Sequence, residues 1–375
     1  MKTVLISGAS IAGPALAWWL RHHGFAPTVV EQAPAPRMGG QAIDIRGTAL
    51  QVIERMGFLA EAQRVRTRMK GMSVLDPDGN EVMRTTEMTF SAGPLDSDDL
   101  ELLREDLTRM LLDSTRPQVE YRFGDSITAL AQDARGVHVA FKHGPPRDFD
   151  LVVGADGLHS NVRRHAFGPE SDCVRPLGTQ LAIFRAENFL NLDHWQVWMR
   201  DGDAGFGIYP VRDNTELRIT VGFGGAPQDT HSRDPEAQKR LVAERLAHLR
   251  WETPRILRAM WDAPDFYFDA MAQVHLERWS SGRVALLGDA AWCASPLSGQ
   301  GTSMALVGAY VLAEELARAQ GDYTGAFRRY EERLRPFIAL NQALATENPG
   351  GRPSEASIAR ASHAICLDAP APASR

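Results

Sequence analysis

The sequence predicts an α/β protein in which a parallel sheet is interrupted by an inserted antiparallel sheet and followed by C-terminal helices. Three stretches carry that expectation. First, "KTVLISG" is a short β-rich run ending at Gly8, "PALAWWLRHHG" has helical apolar spacing at Leu16, Trp19 and Leu20, and "APTVVEQ" is the next strand. Strand, helix and strand in that order place the two strands parallel. Second, between 175 and 275 the runs "QLAIFRAE", "WQVWMR", "GFGIYPVRD" and "ELRITVGF" are short and separated by Gly, Asp and Asn, the pattern of an antiparallel sheet. Third, "GRVALLGDA" returns to a buried parallel-type strand.

The remaining elements follow in order. "MSVLDPDGNEVMRT" holds two strand-like runs around Pro77-Asp78-Gly79-Asn80, which predicts a hairpin. "REDLTRMLLDS" reads as a helix with acids in its first turn, where they suit the macrodipole. "GVHVAF" and "DFDLVVGADG" are strands, "PEAQKRLVAERLAHL" an amphipathic helix, and "TSMALVGAYVLAEELARA" and "YTGAFRRYEERLRPFIALNQAL" two long helices. The nucleotide-type unit is expected over 1–70, 98–170 and 280–345, and the inserted unit over 71–97 and 171–279. A tail rich in Pro, Gly, Ala and Ser is expected to be loosely held over 346–375, with a short helix available in "SEASIARASHAI".

Composition bounds the function. A chain of 375 residues with 44% hydrophobic and 23% charged residues buries a large core, and its net charge of −6 comes without a basic stripe for nucleic acid. Three widely spaced cysteines make neither a disulfide framework nor a zinc site, so no metal is expected. No run approaches a membrane span or a signal peptide, and a cytoplasmic protein, monomeric or weakly dimeric, is expected.

Three motifs carry chemistry. "GASIAG", Gly8 to Gly13, is a glycine-rich turn between strand and helix, the Rossmann-like arrangement in which a pyrophosphate sits at a helix N-terminus. Its middle glycine is Ser10, so the fit is partial, but Glu31 ends the next strand near the spacing at which an acid accepts from a ribose hydroxyl. "GADGLHS" places Asp156 just past a strand's carboxyl end, where α/β sheets bind ligands. "GDAAWCASPLSGQGTSMAL" places Asp289 at another strand end, followed by Pro296, Gly299 and Gly301 and a helix start near Thr302, whose free N–H groups suit an anionic ring. A dehydrogenase does not need this late third element; a flavin does.

Taken in order, "GASIAG…VVEQ", "LLRED", "GADGLHSNVRR" and "GDAAWCASPLSGQGTSMAL" resemble the single-component FAD-dependent aromatic hydroxylases of the p-hydroxybenzoate hydroxylase superfamily, in the style of tetracycline-modifying and antibiotic-pathway monooxygenases. The resemblance covers about residues 1 to 340. It implies that Gly8, Ser10, Ile11, Ala12 and Gly13 hold the FAD pyrophosphate and that Glu31 and Gln32 lie at the ribose. It implies that Asp44, Arg46 and Arg104 contact the flavin, that Arg37 contacts the nicotinamide cofactor, and that Asp156 belongs to the motif shared by both. Gly288 and Asp289 match the ribityl acid, and Pro296, Gly299, Gln300, Gly301 and Thr302 the loop at the ring. It further implies a cycle in which NADPH or NADH reduces FAD, molecular oxygen adds as a C4a-hydroperoxide, and one oxygen atom passes to an aromatic or polyketide-like small molecule. A flavin reductase or oxidase, or a flavin-binding sensor, are the alternatives.

Three positions depart from the family pattern: Trp292 where His is frequent, Ser303 where Asn is usual, and Gly308 in place of Asp. Ser303 is expected to cap its helix, and Trp292 to reshape the site. No catalytic base is assigned; His159, His194 and His275 are the candidates considered. Trp195, Trp198, Phe206 and Tyr209 are the expected substrate wall, by alternation on strands. Arg200, Arg212 and Arg218 are expected to face water, which leaves no clamp for a small anionic acid and favours a larger, mostly neutral substrate.

Overall fold

The computed structural model describes residues 2–37, 39–225, 234–348 and 351–368. Its nucleotide-type sheet has six strands in the order Ser280–Ser281, Val284–Leu286, Leu151–Gly154, Thr3–Ser7, Ala26–Glu31, Glu120–Phe123. All pairings in it are parallel except the short first one. Val4, Leu5 and Ile6, Val29 and Val30, and Val152 and Val153 are fully buried because helices cover both faces of this sheet. The helix Ala12–His22 packs on the long helix Gly301–Arg318, with the Trp19 ring edge-on to Tyr310 at 4.9 Å. Residues nearly 300 positions apart in sequence therefore build one layer.

The inserted sheet has seven strands in the order Tyr267–Val274, Val174–Glu187, Glu216–Gly224, Ala204–Val211, Trp195–Asp201, Gly71–Leu75, Glu81–Thr85. The hairpin at Pro77-Asp78-Gly79-Asn80 forms as expected, closed by Asp76 N–H to the Asn80 carbonyl at 2.9 Å. One pairing differs from a purely antiparallel sheet: Gly71–Leu75 runs parallel to Trp195–Asp201, with Trp195 opposite Gly71. That hairpin comes from the first third of the chain and joins the edge by a crossover, so no turn dictates its direction. One face of the sheet packs Phe184, Phe206, Ile208, Ile219, Val221 and Phe223 beneath the helices Pro235–Arg245 and Thr253–Asp262. Alternation turns the other face toward the nucleotide-type half.

Of the tail expected to be loose, residues 351–368 are docked, while 349–350 and 369–375 lie outside the described residues. The helix Glu355–Ser362 caps itself through Ser354, Thr48 donates to the Ile365 carbonyl at 3.1 Å, Arg55 pairs with Asp368 at 2.7 Å, and Leu367 is buried. Apolar anchors at Ile358, Ala361 and Leu367 outweigh the polar composition that suggested disorder. No helix among the described residues is long and apolar enough to cross a membrane.

Two departures from the family pattern explain each other. Trp292 is fully buried and points into the core, with Trp279 at 4.7 Å and Tyr330 at 5.8 Å between ring centroids. A Cβ on Gly308 would lie 2.8 Å from Trp292 Cζ2. The small residue makes room for the large one, and Trp292 does not reshape the crevice. Gly308→Ala is expected to destabilise the protein by overpacking, about 1–3 kcal/mol less ~1 kcal/mol regained in helix propensity. In a Trp292→Phe background the contact with Trp292 is relieved, that with Leu287 Cδ1 at 3.0 Å remains, and the same substitution is expected to cost less. Denaturant unfolding of the four proteins of this cycle checks the difference; equal effects in both backgrounds would disconnect the two positions.

Candidate cofactor crevice and substrate face

The crevice opens at the carboxyl ends of the parallel strands, where three loops meet. Gly8 has φ +109, a conformation open to glycine, and the Ala155 backbone leaves no space for a Cβ there. Gly13 sits directly on the Gly8 carbonyl, and Gly288, at φ +65, places its backbone against Ala12, where a Cβ would meet the Ala12 methyl at 3.1 Å. The helix Ala12–His22 begins at Ile11 with no side-chain cap, so its first N–H groups are unclaimed by side chains. Glu31 accepts from Ala9 N–H and Ala33 N–H, both at 2.9 Å, which draws the turn onto the end of the second strand. Gln32 and Arg37 are exposed beside it.

Arg104 joins this turn to the next segment. Its guanidinium donates to Ser10 Oγ at 3.3 Å, the Arg37 carbonyl at 3.0 Å and the Gly39 carbonyl at 2.9 Å. Burial, and then the neighbouring Arg37 charge, lower its pKa to about 10, so it remains a cation. Asp156 lies under the crevice. It accepts from Ser7 Oγ at 3.2 Å, Asn161 N–H at 3.0 Å, Val162 N–H at 3.1 Å and the Ser160 hydroxyl, fastening the helix Asn161–Phe167 to the first strand. Arg163, which as half of the Arg163-Arg164 pair reads as a residue of a solvated helix face, is instead buried and donates to the Leu158 carbonyl at 2.5 Å and the Ala290 carbonyl at 3.0 Å, tying the second motif to the third.

Asp289 is exposed to the crevice although Gly288 and Ala290 on either side of it are buried. The surrounding protein desolvates its carboxylate and raises its pKa. Pro296 and Gly299 are exposed on the same loop, and Gly299 takes φ +65. The helix Gly301–Arg318 begins at Gln300 without a side-chain cap, and Gln300 Oε1 is buried with no partner. Along this loop φ is positive at Gly288, Ser295 and Gly299, and not at Gly301. Thr302 is buried in the first turn. Ser303 does not cap the helix: its hydroxyl accepts from Arg46 N–H at 3.0 Å and donates to the Asp44 carbonyl at 3.2 Å, holding the 44–46 segment to the helix start. Arg46 is buried and pairs with Asp44 at 3.0 Å and Asp99 at 3.1 Å.

The inserted sheet presents its second face to this crevice. Tyr209 Oη accepts from Ala42 N–H at 2.8 Å, and Trp198 lies over Gly207 with its Nε1 donating to Gln196 Oε1 at 3.0 Å. Phe90 stands edge-on to Trp198 at 5.4 Å and is itself partly exposed. Of the four aromatic residues expected to line the substrate, Trp198 and Tyr209 are on this face. Trp195 and Phe206 are on the other: Phe206 stacks on Trp251 at 6.2 Å within the core, and Trp195 packs on the same cluster beneath Arg84. The strand register, rather than aromatic character, decides the face.

The arginines also differ from expectation. Arg200 is exposed, but Arg218 is buried and paired with Glu105 at 3.1 Å and Glu216 at 2.8 Å, and Arg212 pairs with Glu105 at 2.6 Å and Asp106 at 2.9 Å. The acids predicted to serve a helix dipole thus also bind the two halves together. His159 bridges Glu170 at 2.7 Å and Asp269 at 3.1 Å; its hydrogen bond to Asp269 leads the effects that raise its pKa to about 9, so it is a cation at neutral pH and not a base. His194 is held by Asp193 and Asn214, and His275 lies beside Gln273.

The FAD binding domain family matches residues 1–339. The chain belongs to that family. This flavoprotein is 38% identical to a flavin-dependent monooxygenase of Legionella longbeachae over 342 residues, which cover 90% of this chain and 86% of that one. It is 51% identical over 369 residues to an uncharacterized protein of Mycobacterium tuberculosis, covering 98% and 99% of the two chains. Among solved structures, the tetracycline destructase Tet(55) superposes with a TM-score of 0.88 at 37% identity, covering 98% of this chain and 99% of that one. The residues present fit FAD: two helix N-termini without side-chain caps begin at the meeting loops, with an exposed carboxylate at Asp289 and the Gln300 amide oxygen buried without a hydrogen-bond partner.

At Gly301 the nearest atom to an added Cβ is Asp289 Oδ1 at 3.9 Å, so the protein itself tolerates a side chain there. Gly301→Val is expected to fold and melt like the wild type while losing FAD affinity by 100-fold or more, if the side chain enters the space that the family resemblance gives to the ring. Equilibrium titration with FAD checks this; wild-type affinity in the variant would place the ring elsewhere.

Proposed function

We propose that this flavoprotein uses NADPH or NADH and molecular oxygen to hydroxylate an aromatic or polyketide-like small molecule. The observation that carries the reading is the pairing of the crevice with an aromatic and glycine-lined sheet face across from it. When bound, FAD supplies acceptance of reducing equivalents, activation of oxygen and delivery of one oxygen atom. The protein binds, orients and excludes water.

In this reading the turn Gly8, Ser10, Ile11, Ala12 and Gly13 holds the pyrophosphate on the first helix N-terminus, and Glu31, with Gln32 beside it, takes the adenosine ribose. Arg104 steadies the phosphate side. Gly288 and Asp289 serve the ribityl hydroxyls. Pro296, Gly299, Gln300, Gly301 and Thr302 border the ring, with the helix N-terminus favouring negative charge on it. Asp44 and Arg46 close the opposite edge. Asp156 acts through the loop it anchors, and Arg37, exposed at the mouth, meets the nicotinamide cofactor. The cofactor half then comprises 1–70, 98–170 and 280–345, and the substrate half 71–97 and 171–279.

The substrate lies against Trp198, with Phe90 and Tyr209 at its edges. Arg212 and Arg218 are already neutralised by Glu105, Asp106 and Glu216, so neither of them is a free clamp. That supports a large, mostly neutral, multi-ring phenol held by stacking and shape. The tetracycline destructase named above makes tetracyclines the first compounds to assay. Trp292, Ser303 and Gly308, the departures that suggested a decayed sensor, are accounted for by packing and by the Asp44–Arg46 contact.

The purified protein is expected to be yellow with non-covalent FAD. Asp289→Ala is expected to weaken FAD binding by about 1–3 kcal/mol through loss of a hydroxyl acceptor that the bound cofactor would cover. NAD(P)H oxidation by the wild type is expected to accelerate with a multi-ring phenol, and the product to gain the mass of one oxygen atom. Redox turnover without that gain would make the protein a reductase or oxidase; a colourless protein that takes up no FAD would overturn the reading from its base.

A further inference from the structure

Asp44 and Glu101 stand directly opposite each other on the paired strands Ala42–Ile45 and Leu100–Leu103. Their neighbours Ile43, Ile45, Leu100 and Leu102 turn into the core, which leaves both carboxyls on the face toward the substrate sheet. Both are largely shut off from solvent. Two carboxylates directly opposite in a sheet repel, and burial makes full ionisation of both costly. The cations near them are few: Arg46 pairs with Asp44 but also with Asp99, and Arg352 pairs with Glu355 at 2.6 Å. Tyr209 is the other titratable group facing the pair, with Arg218 behind it.

The pair touches both halves of the site. Asp44 Oδ2 lies 3.8 Å from where a Cβ on Gly299 would stand, beside the ring loop. Glu101 accepts from Thr67 Oγ1 at 2.5 Å, while its Oε2 is buried without a hydrogen-bond partner. The Ser91 hydroxyl adjoins Glu101 and accepts from Gln196 Nε2 at 2.5 Å, and Gln196 Oε1 in turn holds Trp198. A line of polar groups therefore runs from the aromatic face to the ring loop.

We propose that Asp44 and Glu101 work as one carboxyl pair sharing a single proton, and that the pair accepts the hydroxyl proton of a phenolic substrate through Ser91. The phenol seated at Phe90 and Trp198 gives its proton to Ser91 Oγ as the Ser91 proton passes to Glu101 Oε2. This leaves an aryloxide, whose ring is the better nucleophile toward oxygen, and an electrically neutral pair. The proton returns by the same route when the oxygenated product leaves. Burial, with the Glu101 charge adding to it and Arg46 opposing it, raises Asp44 to about 7, and burial also raises Glu101, so both shifts favour a proton on the pair. The orphaned Oε2 is the acceptor.

The proton step rests on the hydroxylase reading, so two measurements separate them. Infrared spectra of the FAD-loaded protein at pH 7 are expected to show a protonated-carboxyl band that shifts or disappears in both Glu101→Gln and Asp44→Asn, each checked for wild-type melting. A band untouched by both substitutions overturns the shared proton while leaving the hydroxylase reading intact. In Glu101→Gln, reduction of FAD by NAD(P)H is expected to be unchanged, and oxygenation of the phenol to fall about 100-fold at neutral pH. The loss is expected to be recovered as pH rises and the phenol ionises by itself. A uniform loss at every pH overturns the proton step in favour of a structural role. Failure of every phenol to be oxygenated by the wild type overturns the hydroxylase reading and the proton step together.

Discussion

The molecule depends on the close approach of three backbone loops at the carboxyl end of one parallel sheet. Gly8 lies against Ala155, Gly13 against the Gly8 carbonyl, and Gly288 against Ala12. No Cβ fits at the first two contacts. Because the loops touch, the N-termini of the helices Ala12–His22 and Gly301–Arg318 open onto one space although their sequences are far apart. Their unclaimed N–H groups and dipole ends favour an elongated ligand that is negative at its middle and electron-rich at one end.

The second constraint is the joint between the halves. Glu105 and Asp106 receive Arg212 and Arg218 from the sheet, and Tyr209 receives the Ala42 N–H. A charged joint of this kind fixes orientation more than it adds stability, since the desolvation of buried ions offsets much of their attraction. It sets the aromatic face of the sheet opposite the cofactor crevice and neutralises Arg212 and Arg218.

Much of this was legible in the sequence. The order of strand, glycine-rich turn and helix, the strand-end acids Glu31, Asp156 and Asp289, and the hairpin at Pro77-Asp78-Gly79-Asn80 are local signals with local causes. What escaped was set by register and by distance. Trp195 and Trp198 look alike in sequence, but three positions along a strand put them on opposite faces. Trp292 and Gly308 read as two separate departures until packing shows one contact. Glu101 carries no motif, and the motifs that hold Arg163 and Ser303 do not give their contacts; the partners of all three lie tens to hundreds of residues away. The tail was misjudged because composition reports average polarity, whereas a few apolar anchors decide docking.

In the function proposed, the crevice and the sheet face together deliver oxygen from O2 to a bound ring. The most direct measurement is turnover under isotopically labelled dioxygen, with the FAD-loaded enzyme, NAD(P)H and a multi-ring phenol, followed by mass spectrometry of the product. One labelled oxygen atom per product molecule is predicted, with NAD(P)H consumed in equal amount. Label found only in hydrogen peroxide, with the phenol unchanged, would contradict the account.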